Sequence, residues 1–271
     1  MNLTSVALII STYNWPSALA LVLKSAIEQT VRANEIIIAD DGSTFKTKYL
    51  IDSFIKKSPI PIKHVWQQDL GFRLAQSRNN ALRVAKSSYI IFIDGDTILH
   101  PRFIEDHLYH LEPNTFVVGS RVLLRESNTQ KFLEKQFFYF NFLTTKASNK
   151  QNAIYSRFLS NKTAKKRREP IQELIFKIRG CNLACFYQDI LEVNGFNEDF
   201  YGWGREDSEF AFRLLSKGLW IKHIKFNAIQ YHLYHPENTN KNLEKNNALL
   251  ENIQKSDSYQ CSNGLTQLIN K

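Results

Sequence analysis

Residues 89–96 read Tyr-Ile-Ile-Phe-Ile-Asp-Gly-Asp, an apolar run that ends in two carboxylates separated by one glycine. A short, continuous apolar run followed by turn residues is typical of a strand that is buried on both faces. The spacing of Asp94 and Asp96 suits a shared divalent cation that neutralises a diphosphate. Because chance turns often have the same composition, the triplet alone is weak support for a cation site.

The same alternation of apolar runs and helical spacing extends through the first 120 residues. Further strands are predicted at 6–10, 35–39 and 63–66, and helices at 16–29, 45–57 and 75–86. Four such units predict an α/β fold with a doubly wound, mostly parallel sheet, in which ligands bind beyond the carboxyl ends of the strands. We therefore expect three polar clusters to meet at one edge, namely Ser11-Thr12-Tyr13-Asn14, Asp40-Asp41-Gly42-Ser43 and Asp94-Gly95-Asp96.

A second motif, Gly202-Trp203-Gly204-Arg205-Glu206-Asp207, lies in the last third of the chain. A tryptophan between two glycines is poorly suited to the interior of a helix or a strand, and it indicates a hinged loop that closes over a ligand. Glu206 and Asp207 open a predicted helix, 208–217, whose dipole favours acids at its start. Helix capping explains the acids but not the glycines, and an acid held there inside a closing pocket is a good general base.

Three further residues are candidates for the same site. His232 and His235 follow a strand-like segment, 228–231. A lone histidine is more often structural than a ligand, but with the Asp94-Gly95-Asp96 carboxylates available an imidazole can complete a metal site. Arg78 begins a predicted helix near the same edge, where it either pairs with a phosphate or carboxylate or points to solvent.

The charge of the chain is unevenly distributed. It has 271 residues and a net charge of +9, with 43% hydrophobic residues, which excludes a disordered chain and a small disulfide scaffold. Residues 146–168 contain eight basic residues and no acid. This segment is either a solvated loop or a surface for anionic lipid, a phosphorylated acceptor or nucleic acid. The aromatic stretch 134–143 before it is predicted to be a partly buried helix, with an interface as the alternative.

The location of the protein is predicted from two further features. The N-terminus lacks a basic leader with a long apolar core, and no window approaches the roughly 18–20 apolar residues that span a bilayer. We expect a cytoplasmic protein, either soluble or peripherally bound at the inner face of the membrane.

Five segments in this order resemble inverting nucleotide-sugar glycosyltransferases of family 2, which have the GT-A fold. They are VALIISTYN (6–14), IIIADDGS (36–43), DLGFRLAQSRNNAL (69–82), YIIFIDGD (89–96) and NGFNEDFYGWGREDSE (194–209). The Trp-Gly-x-Glu-Asp pattern resembles the acceptor-site loop of galactosyltransferase-type and chondroitin-polymerase-type domains. The resemblance covers about residues 4–123 and 178–236 and leaves 125–178 unmatched.

The resemblance implies a division of the chain. A single GT-A domain would span residues 1–240, with a nucleotide-sugar-binding half at 1–123 and an acceptor-binding, catalytic half at 180–240. The variable basic and aromatic insertion would be 124–179, and a polar C-terminal tail would follow at 241–271.

The resemblance also implies roles in donor binding. Ser11, Tyr13 and Asp41 would bind the base of a UDP-sugar, and Arg78 would lie near the base or the diphosphate. Asp94 would contact the ribose or the metal ion.

Metal binding and catalysis are assigned in the same way. Asp96 would bind Mn²⁺ or Mg²⁺ directly, and His235 is preferred over His232 as the other protein ligand. Asp207 would be the catalytic base, while Glu206 and Trp203 would position the acceptor sugar.

The implied activity is metal-dependent, inverting transfer from a UDP-sugar to a carbohydrate or glycolipid acceptor, in surface-polysaccharide or lipopolysaccharide biosynthesis. Single displacement converts an α-linked donor to a β-linkage. This chain departs from the galactosyltransferase pattern at Ser208, where a further acid is common. The alternative is a protein that binds nucleic acid or an anionic surface through residues 146–168, but it leaves the acidic and histidine motifs without a purpose, so nucleic acid is not expected as a partner.

Overall fold

The computed structural model describes residues 4–176, 178–236, 242–256 and 258–266. Residues 1–3, 177 and 237–240 of the predicted domain, and residues 241, 257 and 267–271 of the predicted tail, lie outside this description. Among the described residues, no helix is both long and apolar enough to cross a bilayer.

The described strands form one large sheet and one small sheet. They are β1 (Val6–Thr12), β2 (Glu35–Asp40), β3 (Ile62–Trp66), β4 (Tyr89–Asp94), β5 (Thr97–Leu99), β6 (Thr115–Val118), β7 (Arg121–Leu123), β8 (Lys166–Arg167), β9 (Asn182–Phe186), β10 (Trp220–His223) and β11 (Gln230–His232). The eight-stranded sheet has the order β3-β2-β1-β4-β9-β6-β10-β8, and the three-stranded sheet has the order β5-β11-β7.

The described helices cover both faces of the large sheet. They are α1 (Pro16–Ile27), α2 (Phe45–Ile55), α3 (Leu74–Val84), α4 (Phe103–His110), α5 (Glu126–Lys135), α6 (Arg157–Thr163), α7 (Ile171–Ile175), α8 (Tyr187–Glu192), α9 (Glu206–Lys217) and α10 (Leu243–Gln254), with a short 3₁₀ turn at Lys150–Ala153.

The predicted doubly wound arrangement is visible in β1. Its residues alternate between two layers of core: Leu8 packs in the layer that contains α1, and Ile9 packs in the layer that contains α3 and α9. Strands β3, β2, β1 and β4 are parallel, as predicted. Ser11 therefore lies beside Asp94, and Thr12 lies beside Asp40, so the three polar clusters do meet at one edge.

The remaining strands bring the second half of the chain to the same edge. Strand β9 pairs antiparallel with both β4 and β6, which inserts the second half of the chain next to the strand that ends in Asp94. In the small sheet, His232 of β11 pairs with Thr97 of β5, directly after Asp96. Strand pairing, rather than proximity in sequence, thus places a histidine beside the acidic turn.

The aromatic stretch differs from the prediction. The expected helix over residues 134–143 is wrong, because α5 ends at Lys135 and Gln136 adopts a left-handed conformation with φ of 45°. Residues 137–143 continue as an irregular segment in which Phe137 and Tyr139 are exposed while Phe138 and Phe140 are partly buried. The high aromatic content reflects an inside–outside alternation and not a buried helical face.

The C-terminal segment is more ordered than its polar composition suggests. Within residues 242–266, α10 packs against α9, and Leu250, Cys261 and Leu265 are buried. The described part of the predicted tail is therefore packed onto the domain. Only Asn246 and Leu250 of α10 are buried, and most of its other residues are polar, which is why its sequence resembles a solvated tail.

A buried ion pair between two residues of α9 allows the stability of the core to be tested. Arg213 and Glu209 are 1% and 0% exposed, and the guanidinium donates two 2.7 Å hydrogen bonds to the Glu209 carboxylate and another to the carbonyl of Val193. We expect Glu209→Ala to lower the free energy of unfolding by about 3–5 kcal/mol, because it leaves a buried charge without its partner. Urea denaturation measures this change.

The control is Glu251→Ala, which removes an exposed carboxylate from α10. Replacing both partners by methionine should cost much less than Glu209→Ala alone, since no unpaired charge remains. Equal losses for Glu209→Ala and Glu251→Ala would contradict the assignment of the ion pair to the stable core.

Candidate active site

The Asp94-Gly95-Asp96 turn is held against the end of β1. The amide of Gly95 donates a 2.7 Å hydrogen bond to the carbonyl of Ser11. A Cβ atom at position 95 would lie 2.9 Å from that oxygen and 3.0 Å from Oγ1 of Thr12, so a larger residue would push the turn away. The glycine thus allows the close approach that fixes both carboxylates at the edge of the sheet.

Arg78 lies at the centre of the site and is 1% exposed. Its guanidinium is 3.2 Å from the Asp94 carboxylate, 3.3 Å from Oγ of Ser11 and 3.9 Å from the Glu206 carboxylate. It also lies over the ring of Phe196, 5.2 Å from the centroid. The arginine therefore joins an acid at the end of β4 to an acid at the start of α9.

The pKa values of these acids reflect their shared burial. Burial raises the pKa of Asp94 to about 6, while the charge of Arg78 opposes this shift and the charge of Asp96 adds to it. Burial and the charge of Asp207 raise the pKa of Glu206 to about 7, again against Arg78. One oxygen of Glu206 is buried without a hydrogen-bond partner among the described residues. Glu206 is thus able to hold a proton near neutral pH.

A second cluster, on the other side of the acidic turn, has the composition of a metal site. Side-chain ligand atoms of Asp96, His232 and His235 all lie within 4.8 Å of one another. Nε2 of His235 is 3.2 Å from the Asp96 carboxylate, and Nε2 of His232 is 3.7 Å from the same oxygen. The other oxygen of Asp96 is buried and has no hydrogen-bond partner among the described residues.

The pKa values of all three groups in this cluster are shifted from their ordinary values. The pKa of Asp96 is lowered, because its hydrogen bond to His235 and the charge of His232 outweigh the effect of burial. The hydrogen bond to Asp96 raises the pKa of His235 to about 9, whereas burial lowers the pKa of His232. Asp94 contacts Arg78, whereas Asp96 contacts His235 and lies near His232, so the two acids of the turn have different partners.

The tryptophan loop is held in an unusual backbone conformation. Gly202, Gly204 and Arg205 have φ values of 77°, 103° and 78°, which only glycine adopts without strain. The side-chain amide of Asn246 in α10 donates to the carbonyl of Gly204 at 2.8 Å and lies 3.4 Å from that of Trp203. Trp203 remains 47% exposed.

Asp207 is oriented by backbone amides at the start of α9. One carboxylate oxygen accepts from the amide of Gly180 at 3.0 Å, and the other accepts from the amide of Ser208 at 2.7 Å. Gly180 itself packs against Arg78, since a Cβ atom there would lie 2.8 Å from the guanidinium. The segment before β9 thus links the orientation of Asp207 to the buried arginine.

Two of the predicted base-binding residues lie together at the ends of β1 and β2, and Ser11 lies apart from them. The hydroxyl of Tyr13 donates to Asp69 at 2.9 Å. The Asp41 carboxylate accepts from the side chain of Gln67 at 2.6 Å and from the amide of Arg73 at 2.8 Å, and burial raises its pKa. Ser11, by contrast, contacts Arg78.

Sequence reasoning missed three residues that the structure places in the cleft. Asp69 joins the Tyr13 and Asp41 cluster, and Asn246 holds the tryptophan loop. Arg121 of β7 is a third charged neighbour of the acidic turn, because its charge lowers the pKa of both Asp94 and Asp96. Arg121 and Asn246 belong to no local motif, whereas Asp69 opens the DLGFRLAQSRNNAL segment (69–82), in which only Arg78 is predicted to have a role.

The basic segment is only partly neutralised. Of its eight basic residues, Arg157 pairs with Glu105 and Lys166 pairs with Glu112. Within the parts of the chain that the structure describes, the other six have no carboxylate within 4 Å. A cavity of about 490 Å³ is lined by Lys166, Arg167, Arg168, Glu169 and Trp220.

Comparison with known proteins agrees with this geometry. The profile "Glycosyl transferase family 2" matches residues 7–175, more than half of the chain, and "N-terminal domain of galactosyltransferase" matches residues 155–236. Chondroitin synthase from Escherichia coli is 28% identical over 255 residues, covering 87% of this chain and 35% of the relative. Chondroitin synthase from Pasteurella multocida is also 28% identical, with 87% and 25% covered. The chain thus spans about a third or less of these relatives.

A third relative and one solved structure are also similar to this chain. "UDP-Glc:alpha-D-GlcNAc-diphosphoundecaprenol beta-1,3-glucosyltransferase WfaP" from Escherichia coli is 27% identical, covering 79% of this chain and 71% of the relative. The crystal structure of S. aureus TarS residues 1–349 superposes with a TM-score of 0.64 at 14% identity, covering 92% of this chain and 65% of that chain. The predicted family and fold are confirmed: the chain belongs to glycosyl transferase family 2 and has the GT-A fold.

Proposed function

We propose that this protein is a metal-dependent, inverting glycosyltransferase that moves a sugar from a UDP-sugar to a carbohydrate or glycolipid acceptor. The observation that carries the proposal is the arrangement around Arg78. This residue contacts Asp94 of the donor half and approaches Glu206 of the acceptor half, which brings the metal-site candidates and the candidate base to one cleft. Such a cleft serves a reaction that joins a charged donor to a sugar hydroxyl.

The candidate metal site fits a divalent transition metal. One carboxylate and two imidazoles are ligands that suit Mn²⁺, and Asp96 keeps a buried oxygen without another partner. We propose Asp96, His232 and His235 as the protein ligands, so that both histidines belong to the ligand set. When bound, the cation would neutralise charge on the departing diphosphate.

The donor would lie along the carboxyl ends of β1, β2 and β4. Tyr13, Asp41 and Asp69 are positioned to hold the base, since they cluster beyond the strand ends and Tyr13 is 51% exposed. Arg78 and Asp94 would contact the part of the donor between base and acceptor. Arg121 adds a positive charge beside the acidic turn, where the diphosphate carries its negative charge.

Asp207 is the proposed base that takes the proton of the acceptor hydroxyl. Two backbone amides fix its carboxylate, so it needs little reorganisation as the proton moves. Glu206, whose pKa is raised to about 7, would donate a hydrogen bond to the acceptor sugar or accept one from it. Trp203 would stack on the same sugar. A single displacement inverts the anomeric centre, so an α-linked donor would give a β-linked product.

The relatives support the two acceptor classes in the proposal. Chondroitin synthases are named for a polysaccharide, and WfaP is named for an acceptor linked to diphosphoundecaprenol. We propose surface-polysaccharide or lipopolysaccharide assembly as the setting, with synthesis of the donor and of the acceptor left to other enzymes.

The metal site is tested by calorimetric binding of UDP with and without Mn²⁺. We expect micromolar, Mn²⁺-dependent binding by the wild type, and a loss of the Mn²⁺ dependence in Asp96→Ala because the central ligand is removed. His232→Ala and His235→Ala should each weaken binding by about 10- to 100-fold.

The control for the metal site is Asp52→Ala, which removes a carboxylate of α2 that is 37% exposed and pairs with Lys48. Unchanged Mn²⁺ dependence in His232→Ala would reduce the ligand set to Asp96 and His235. An absence of UDP binding under every metal condition would remove the main support for the donor assignment.

The base is tested by comparing Asp207→Asn with Glu206→Gln. Asp207→Asn should lower kcat by about 10²–10⁴-fold and leave UDP affinity unchanged, since the amide does not accept the proton. Glu206→Gln should retain more activity, because the amide resembles the protonated carboxyl that a pKa of about 7 favours. Steady-state rates with an accepted UDP-sugar measure both effects.

The two variants form a matched pair at the start of the same helix. Greater loss in Glu206→Gln than in Asp207→Asn would exchange the roles of the two acids. An α-linked product from an α-linked donor, shown by NMR, would exclude the single displacement.

A further inference from the structure

The segment that follows α5 presents apolar side chains to solvent. Phe137, Tyr139, Phe142 and Leu143 are 64%, 66%, 49% and 86% exposed. We call these four residues, together with Lys146 and Lys150, the aromatic face. Such a concentration of large exposed apolar side chains within seven residues is unusual for a surface that contacts only water.

The alternate residues of the same segment anchor it to the domain. Phe138 and Phe140 both lie 4.8 Å from the ring of Tyr231 in β11, and Phe138 also contacts Phe132 of α5 at 5.0 Å. Tyr231 precedes His232, so the anchored side of the segment rests on the strand that carries a candidate metal ligand. The exposed side therefore has a fixed orientation relative to the cleft.

The tip of the aromatic face is held by hydrogen bonds. The Asn141 side chain accepts from the amides of Leu143 and Thr144, and the amide of Thr145 donates to the Asn141 carbonyl at 2.8 Å. Further along, Ala147 pairs with Leu124 in an isolated bridge. The exposure of Phe142 and Leu143 is thus built into the loop, because both of its ends are tied to the domain.

Positive charge borders the apolar tip. Between residues 131 and 150 there are four lysines (Lys131, Lys135, Lys146 and Lys150) and one acid, Glu134. Nζ of Lys150 donates to the carbonyl of Phe142 at 3.0 Å and lies 5.8 Å from the centre of its ring. A self-complementary contact between two copies would bring these lysines near their equivalents, which disfavours a dimer.

We propose that the aromatic face docks on an anionic lipid surface. Phe142 and Leu143 would enter the boundary between head groups and acyl chains, and Tyr139 would lie at head-group level, where aromatic rings are favoured. Lys146 and Lys150 would contact the negatively charged head groups. The face needs both components, because a few buried apolar side chains or a few lysines alone hold a protein only weakly at a membrane. This inference is independent of which sugar the protein transfers.

The proposal is tested by co-sedimentation of the full chain with vesicles of phosphatidylcholine, with and without phosphatidylglycerol. We expect binding to the anionic vesicles at low salt, weaker binding at high salt and little binding to phosphatidylcholine alone. Phe142→Ser/Leu143→Ser should reduce the partition coefficient by about tenfold or more, through loss of buried apolar area. Lys146→Gln/Lys150→Gln should reduce it by a similar factor and flatten the salt dependence.

Two matched controls distinguish vesicle binding through the aromatic face from nonspecific binding through other exposed rings or lysines. Phe45→Ser/Tyr49→Ser removes two rings of α2 that are 66% and 70% exposed, and Lys56→Gln/Lys57→Gln removes two exposed lysines. Both controls should bind vesicles like the wild type, and thermal unfolding shows that every variant is folded. No binding of the wild type to anionic vesicles at low salt would overturn the proposal, as would equal binding by the aromatic-face variants. Self-association that Phe142→Ser/Leu143→Ser abolishes, without vesicle binding, would instead assign the face to a second copy.

Discussion

The burial of Arg78 is the constraint on which the arrangement of the cleft depends. A guanidinium that is 1% exposed must be matched by acids and hydrogen-bond acceptors, because an unpaired charge is very costly away from water. Its partners come from distant parts of the chain: Ser11 of β1, Asp94 of β4 and Glu206 of α9. Strands β1 and β4 are thus joined to α9 by one cation, and Phe196 and Gly180 lie close against its guanidinium.

The same constraint explains the charge of the cleft. Asp94, Asp96, Glu206 and Asp207 lie close enough to influence one another, and Arg78 and Arg121 supply permanent positive charges beside them. The excess of acid is relieved in two ways: the pKa values of Asp94 and Glu206 rise, so that Glu206 is able to hold a proton near neutral pH, and Asp96 is paired with His232 and His235. An acidic cleft of this kind favours the binding of a cation.

Much of the fold was predictable because β1, β2 and β4 are buried on both faces, and local hydrophobicity alone marks such strands. The residues at their ends could be named for the same reason. Prediction was less successful where tertiary contacts decide the structure. Helix α5 ends at Gln136, which adopts a left-handed conformation although it is not a glycine, so the sequence gives no sign of this helix end. Helix α10 is attached by a few buried residues in a polar sequence. Arg121 and Asn246 reach the cleft through chain topology, which no local pattern encodes. Asp69 opens the DLGFRLAQSRNNAL segment, but its contact with Tyr13 joins parts of the chain that are distant in sequence.

The contact between Asn246 and the tryptophan loop has a consequence for how an acceptor would be recognised. A loop with two glycines has many conformations when free, and a ligand that must select one of them loses affinity to conformational entropy. Here the amide of Asn246 already holds the carbonyl of Gly204, and Arg205 is hydrogen-bonded to Asn247 at 2.6 Å. The ordering cost is therefore met when the chain folds, and in the proposed function the exposed ring of Trp203 would be a preformed platform for a sugar.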